Sequence, residues 1–463
     1  MNKVSRRAVW LLLMSTVSAG CSQKPPYVRP EIPVPSQWPQ QSVEAGRDVR
    51  DTDWKAFYLD PRLKALISLA LENNRDLRVA TARIVEARAL HGIQVAESVP
   101  GVNLGAVDTV TRFPGDLSSS GKPLVSRRYD VNLGITAFEL DFWGRVASLR
   151  DAALASFLAT EQARRAFRLA LIADVADLYL VQRELAERLT LARDTLDSRE
   201  ESRALILKRK EAGLAGELDY LSADGACQAI RGEIAALERQ REAADNSMRL
   251  LAGTFPDDLP VGFPLGEQGL DSNLTVELPA NVLLRRPDVR AAEQALIAAN
   301  ANIGAARAAF FPRIALTTSL GTASSALSGL FGSGSEAWTF QPSLSLPLFD
   351  AGRNQANLDL AEARKVISVA QYEKSVQQAF REVADLLAAR TRLRQQLDAQ
   401  ESTERTQAQR LTIVEARYRG GIASYLELLD ARRDALAAQH GTVVLLRQWL
   451  STSNQLFKTL GAG

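Results

Sequence analysis

The sequence predicts a mainly α fold with a membrane β-barrel, tandem-duplicated, in which each chain contributes four strands to a barrel shared with other copies. Three observations predict it: a repeat with a period of 208 residues, two very long stretches without Gly or Pro, and two pairs of segments that alternate apolar and polar residues.

The repeat comes first, because self-similarity at a fixed period constrains every later assignment. A shift of 208 carries Phe142-Trp143-Gly144-Arg145 onto Asp350-Ala351-Gly352-Arg353, Val175-Ala176-Asp177-Leu178 onto Val383-Ala384-Asp385-Leu386, and Gly213 onto Gly421. Near the start of each half the shift is 212, with Asp76, Arg78, Ala87 and Pro100 falling on Asp288, Arg290, Ala299 and Pro312. Insertions collect in loops, so a loop between Pro100 and Gly144 absorbs the difference.

The second observation is helical. From Arg145 to Ala212 and from Arg353 to Arg419 there is neither Gly nor Pro, and Ala, Leu, Glu, Arg and Gln dominate. At 1.5 Å per residue such a helix reaches about 100 Å, far more than one globular core needs. Ile172, Val175 and Tyr179, echoed by Phe380, Val383 and Leu387, recur at coiled-coil spacing and read as packing. Gly213 and Gly420-Gly421 close the two helices, because glycine takes the left-handed conformation that ends a helix, and a second helix returns from about 217 to 251 and from about 424 to 457. The glycines are therefore hairpin tips.

The third observation is the strands. Tyr129, Val131, Leu133, Ile135 and Ala137 alternate with Asp130, Asn132, Gly134 and Thr136; Trp338, Phe340, Leu344 and Leu346 alternate with Thr339, Gln341, Ser343 and Ser345. With partner strands before them and Gly/Ser-rich loops between, each half holds one β-hairpin. Four strands cannot close a membrane barrel, whose smallest bacterial form has about eight, so the chain must share one; three copies give twelve strands.

The organisation that follows is a signal peptide at 1–20, a tether at 21–60 rich in proline, a first repeat at 61–260 (strands 102–111 and 129–140, long helix 145–212), a linker at 261–286, a second repeat at 287–458 (strands 314–322 and 337–346, long helix 353–419) and a tail at 459–463. The N-terminus has basic Lys3, Arg6 and Arg7, an apolar run to Met14, then Ser18-Ala19-Gly20-Cys21, which resembles the lipobox of bacterial lipoproteins although Ser18 stands where Leu is usual. Lipidation is expected at Cys21.

Composition narrows the function. Lys+Arg 56 against Asp+Glu 54 leaves a net charge of +2, which points to no nucleic acid. The chain has two Cys and two His, and neither His91 nor His440 has a metal-ligand neighbour at suitable spacing, so no metal, no cofactor and no enzymatic site are expected. Cys227, in an Ala-rich helix, reads as a buried thiol.

In this order and spacing, the lipobox, the duplication, FELDFWGR at 138–145 with LPLFDAGR at 346–353, and RYRGGIASYLELLDARR at 417–433 resemble the TolC-like outer-membrane factors, in the NodT-like lipoprotein branch that serves resistance-nodulation-division multidrug efflux systems. The resemblance implies a homotrimer, a twelve-stranded barrel in outer-membrane lipid and a long periplasmic α-helical coiled-coil tunnel. It also implies docking on a periplasmic adaptor and an inner-membrane pump, and passive export of drugs and other small toxic compounds. By the same resemblance the hairpin tips close the periplasmic end. Leu426 and Asp430 then face the aperture, and Asp219, the counterpart of Glu427, accepts from Tyr418 or Arg419, with Arg417 beside them; Ser222 stands where the second tip has Asp430. Two other readings share many of these features: a conduit for protein secretion, and a periplasmic coiled-coil adaptor lipoprotein without a pore. The alternating strands separate the adaptor reading from a channel.

Overall fold

The computed structural model describes residues 22–39, 47–48, 53–255, 258–270, 274–275 and 282–460. Cys21, the signal peptide and the 461–463 end of the tail lie outside the described residues. The principal elements are α1 (Pro61–Asn73), α2 (Arg75–Ala96), β1 (Val102–Phe113), β2 (Leu124–Leu140), α3 (Arg145–Glu211), α4 (Glu217–Ala252), α5 (Pro287–Ala308), β3 (Arg313–Ser324), β4 (Glu336–Ser345), α6 (Arg353–Arg419) and α7 (Tyr425–Thr459). Two compact units result. One is built from Arg83–Glu161 and Ala291–Tyr372 with the strap before Ile32; the other from Ile32–Ala82, Gln162–Arg290 and the chain from Glu373 on.

The first unit holds one four-stranded antiparallel sheet in the order β1-β2-β3-β4, so the two hairpins are joined through β2 and β3, and the outer edges of β1 and β4 have no strand partner among the described residues. Paired residues share a face. One row across the sheet is Leu104, Leu133, Leu320 and Trp338, exposed by 74%, 56%, 69% and 75%. The next is Val102, Ile135, Thr318 and Phe340. On the opposite face the matching rows are Gly105, Asn132, Gly321 and Ala337, then Asn103, Gly134, Ser319 and Thr339. A sheet that buries neither face, yet keeps one apolar and one small and polar, has the two-solvent pattern of a membrane barrel.

The alternation is broken once. The sequence places Ala137 on the apolar face with Ile135, but the register shifts between Ile135 and Phe138, and Ala137 takes φ 51°, with its N–H donating to Thr317 Oγ1 at 3.1 Å. The extra residue of this bulge turns the strand over, so that Phe138 and Leu140 join the apolar face opposite Leu316 and Ile314. The first hairpin also outruns its expected bounds. β2 begins at Leu124, five residues before the alternation is visible, because Arg127 and Arg128 are held by Asp108 and Asp130 and pair as strand despite their charge.

The sheet passes into the helices through fixed joints. Gly144, with φ 71°, stands before α3, and Asp141 Oδ2 accepts from the Ala147 N–H; Gly352, with φ 84°, stands before α6, and Asp350 accepts from the Gly352 and Asn354 N–H groups. Glu139, at the end of β2, takes Arg145 Nε at 2.7 Å and Arg313 Nε at 2.6 Å. Trp143 stacks on Phe311 at 4.8 Å and donates Nε1–H to the Pro312 carbonyl. The strap is ordered by Lys24 on Asp151 at 2.6 Å, Arg29 on Glu293 at 2.7 Å, and the Pro25 carbonyl on Asn300. Gly304 lets it pass: a Cβ there would sit 2.6 Å from Ser148 Oγ and 2.8 Å from Lys24 Cα.

The second unit packs α1, the tip-proximal lengths of α3 and α6, α4 and α7. Its largest core joins Phe57, Tyr58, Leu66, Ile172, Val175, Tyr179 and Phe457, with Phe57 stacked on Phe457 at 4.1 Å. Buried Asp60 organises the polar part. It caps α1 through the Arg62 and Leu63 N–H groups and accepts from Tyr179 Oη at 2.7 Å, the Phe263 N–H and Gln268 Nε2. Burial pushes its carboxyl up, and this set of donors more than offsets that, holding it below the usual range.

Candidate functional site

Both hairpin tips are built by one backbone device. In the first, Leu214 N–H donates to the Arg209 carbonyl at 2.7 Å and Gly213 N–H to Lys210 at 2.9 Å; in the second, Ile422 N–H donates to Arg417 at 2.8 Å and Gly421 N–H to Tyr418 at 3.0 Å. This is the paired closure of a Schellman motif, and Gly213 and Gly421 take φ 72° and 73° to make it. Gly420 is the last residue before the left-handed one and stays outside the positive-φ set.

Side chains then make the tips differ. Gly216 precedes α4 and has no side chain to accept from the first N–H groups of the helix; Asp219 folds back, and its Oδ2 accepts from the Gly216 N–H at 3.2 Å. Ser424 precedes α7 and caps it directly, with Oγ accepting from the Glu427 N–H at 3.2 Å. That leaves the Glu427 carboxylate available, and Arg417 Nη1 meets it at 3.2 Å across the tip. Lys210 pairs with Glu217 at the first tip and lies over the Tyr220 ring.

The expected link from Asp219 to Tyr418 or Arg419 is not made within the chain. Asp219 is engaged in capping its own helix, Arg419 reaches back one turn to Glu415 at 3.8 Å, and Tyr418 Oη takes Arg209 Nη1 at 3.4 Å with the guanidinium 6.0 Å from its ring. Leu426 is 66% exposed, and Asp430, one turn further along α7, is open to solvent and touched by Arg433 at 3.4 Å. Leu426, Asp430, Arg433 and His440 line a groove of about 540 Å³ between α4 and α7.

One polar tie between hairpins comes from a residue that the sequence pattern did not single out. Arg432 of α7 is nearly buried; it donates to Ser202 Oγ of α3 at 2.6 Å and to Glu415 of α6 at 3.0 Å. It sits above a small core of Ile206, Ala223, Val414, Tyr425, Leu428 and Ala431, where burial pushes the Tyr425 phenol up to about 12. A signal existed: Arg432 is four residues after Leu428 and seven after Tyr425, on the buried stripe of an amphipathic helix. Further along α7, Arg447 reaches Glu184 at 2.7 Å and His440 Nδ1 faces Glu233 at 3.2 Å; burial is the main cause that lowers the imidazole below its ordinary value.

Among the described residues no helix is long and apolar enough to cross a membrane, and no cluster of three potential metal ligands occurs. The sheet with its lipid-type face, continued into two long helical hairpins, defines an outer-membrane channel protein. The chain belongs to the outer membrane efflux protein family, whose model matches residues 66–254 and 278–462. It is 43% identical over 456 residues to outer membrane protein OprJ of Pseudomonas aeruginosa, covering 98% of this chain and 95% of that protein. It is 44% identical over 451 residues to the toluene efflux pump outer membrane protein TtgI of Pseudomonas putida, covering 96% of each. Among solved structures, the open state of the Neisseria gonorrhoeae MtrE outer membrane channel superposes with a TM-score of 0.88 at 38% identity, over 96% of this chain and 98% of that one. The protein is thus an outer-membrane efflux channel subunit with the tandem TolC-like fold, and a pore-less adaptor is set aside.

Proposed function

We propose that three copies of this chain form one channel, each giving four strands to a twelve-stranded barrel, and that the channel is opened at the helical hairpin tips. The observation that carries this is the sheet: β1 and β4 are 12 and 10 residues long, with an apolar face for lipid and an outer edge that has no strand partner among the described residues. Unsatisfied edge groups cost several kcal/mol each in hydrocarbon, so the edges must pair with neighbouring subunits. Cys21 is the lipid anchor in this reading. Its neighbour Ser22 lies against Gly144, at the joint where strand gives way to helix, which supports an acyl chain held at the barrel's periplasmic rim.

At the tips, Arg417 with Glu427 and Arg209 with Tyr418 hold the coils inward, Asp430 and Leu426 line the aperture, and Asp219 acts by shaping its own tip. Leu214, Leu218 and Ile422 are exposed by 72%, 77% and 73%, and offer apolar contacts to a periplasmic adaptor that couples the channel to an inner-membrane pump. The cargo is small toxic compounds, of the kind for which the toluene-pump relative is named. Native mass spectrometry in detergent should give three chains per particle, and the same particles should conduct in planar bilayers. A stable, non-conducting monomer would overturn the reading. Mass spectrometry of the mature N-terminus should find an acylated Cys21.

A further inference from the structure

The polar face of the sheet carries very little charge. Between its two ends the inward rows are small and neutral, as at Asn132, Gly134, Ser319, Gly321, Thr339 and Gln341. At the helix end, the Glu139 carboxylate accepts from both Arg313 and Arg145. At the loop end the same face carries one pair, Arg128 and Asp130, two residues apart on β2 and therefore on one side of the strand.

Their placement is specific. Asp130 stands opposite Val107 and Ala323, in the last inward row where β1, β2 and β3 all pair; Arg128 stands opposite Thr109, beyond the end of β3. The guanidinium bends back over the carboxylate, with Nε and Nη2 at 2.9 Å and 2.8 Å from Oδ1, and Nε at 2.9 Å from Oδ2. Arg128 is 63% exposed and Asp130 20%, so the carboxylate is sheltered beneath the cation. One residue along the strand, Arg127 makes a similar pair with Asp108, but on the apolar, outward face beside Tyr129.

We propose that Arg128 and Asp130 set the charge selectivity of the barrel's outer mouth: the guanidinium masks the carboxylate, and three such pairs form a neutral ring. This rests on the trimeric channel reading. Threefold symmetry brings the pairs around one lumen, where fixed charges concentrate the counter-ion, so unmasking either partner converts a neutral ring into one of three like charges. A neutral outer mouth lets cargo selected at the inner end leave without a second charge filter.

The test uses full-length trimers in planar bilayers, with reversal potentials measured across a potassium chloride gradient. Arg128→Gln should raise the cation-over-anion permeability ratio by about twofold or more, Asp130→Asn should lower it, and the double variant should return to the parent value. Arg127→Gln, on the lipid-facing side, is the control and should leave the ratio unchanged. If the conducting Arg128→Gln and Asp130→Asn trimers keep the parent ratio, or if Arg127→Gln shifts it as far as Arg128→Gln does, the proposal is overturned. Failure of the parent trimer to conduct at all is a separate outcome and sinks the channel reading beneath it. Native mass spectrometry of each variant keeps misassembly from passing as altered selectivity.

Discussion

The two hairpin tips descend from one duplicated plan and close their backbones with the same two hydrogen bonds, yet they use their acidic residues in opposite ways. At the first, Asp219 turns back and accepts from the Gly216 N–H; at the second, Ser424 Oγ accepts from the Glu427 N–H and the Glu427 carboxylate meets Arg417 across the same tip. The 208-residue shift equates Gly216 with Ser424 and Asp219 with Glu427, so equivalent acidic residues take a backbone partner at one tip and a side-chain partner at the other. Behind the tips the asymmetry continues. Arg432 binds Glu415 and Ser202 from a nearly buried position, whereas its equivalent, Asp224, takes Arg203 at 2.8 Å at a more exposed one. Ties between the hairpins run both ways, from Arg209 to Tyr418 and from Arg432 to Ser202, whereas Arg417 with Glu427 and Arg203 with Asp224 each brace one hairpin within itself.

The largest effect should come from Arg432→Ala. Truncation removes the nearer of the two arginines on Glu415 and the donor to Ser202 Oγ, at a cost of about 1–3 kcal/mol, whereas Asp224→Ala should cost about 0–1 kcal/mol. Hydrogen exchange at the second tip should accelerate strongly in the first variant, and single-channel conductance should rise; equal effects of the two substitutions would remove the asymmetry. Next in size is Glu427→Gln, which should raise conductance by releasing Arg417, while Asp219→Asn should weaken the start of α4 by about 0.5–1 kcal/mol and leave conductance alone. Conductance that responds to Asp219→Asn and not to Glu427→Gln would reverse the assignment of roles.

A smaller change sharpens the capping argument. Gly216 has φ −81° and ψ 164°, ordinary for serine, and an added Cβ would meet nothing closer than 3.9 Å. Gly216→Ser should therefore stabilise the α4 start by a few tenths of a kcal/mol, its hydroxyl accepting from the Asp219 N–H while the Asp219 carboxylate keeps the residue-216 N–H. In that background Asp219→Asn should cost at least as much as in the parent, because the two bonds of a capping box support each other, a coupling that a double-mutant cycle by hydrogen exchange reads directly. The smallest effect belongs to Arg419→Ser. Arg419 is 80% exposed and 3.8 Å from a residue on its own helix, so conductance should not change; a clear increase would show that Arg419 has a partner on another subunit.

Much of this was legible in the sequence, for reasons that differ by element. The long helices stand out because the absence of Gly and Pro over a stretch the length of Arg353–Arg419 leaves the backbone nothing at which to stop. The tips stand out because left-handed closure calls for glycine. The apolar face of Leu104, Leu133, Leu320 and Trp338 is visible because a strand facing lipid and water alternates strictly. The bulge at Ala137 was not visible, since neither Thr136 nor Ala137 differs in type from what an unbroken strand would carry there; only pairing with β3 reveals the extra residue.

The sequence by itself determined the duplication, the helix and strand types, the glycine turns and the lipid-type face, all of which follow from local backbone preference and from the period of apolar residues. The tertiary structure alone decided which charges meet. Asp219, Arg419 and Tyr418 lie close to their tips in sequence, but a side chain takes the first well-placed donor or acceptor within reach. For Asp219 that was the uncapped N–H of Gly216, for Arg419 the Glu415 one turn behind it, and for Tyr418 an arginine from the other hairpin. The first two partners are three and four residues away and win by proximity, whereas the third is set by ångström-scale geometry between segments 209 residues apart, which no local pattern encodes.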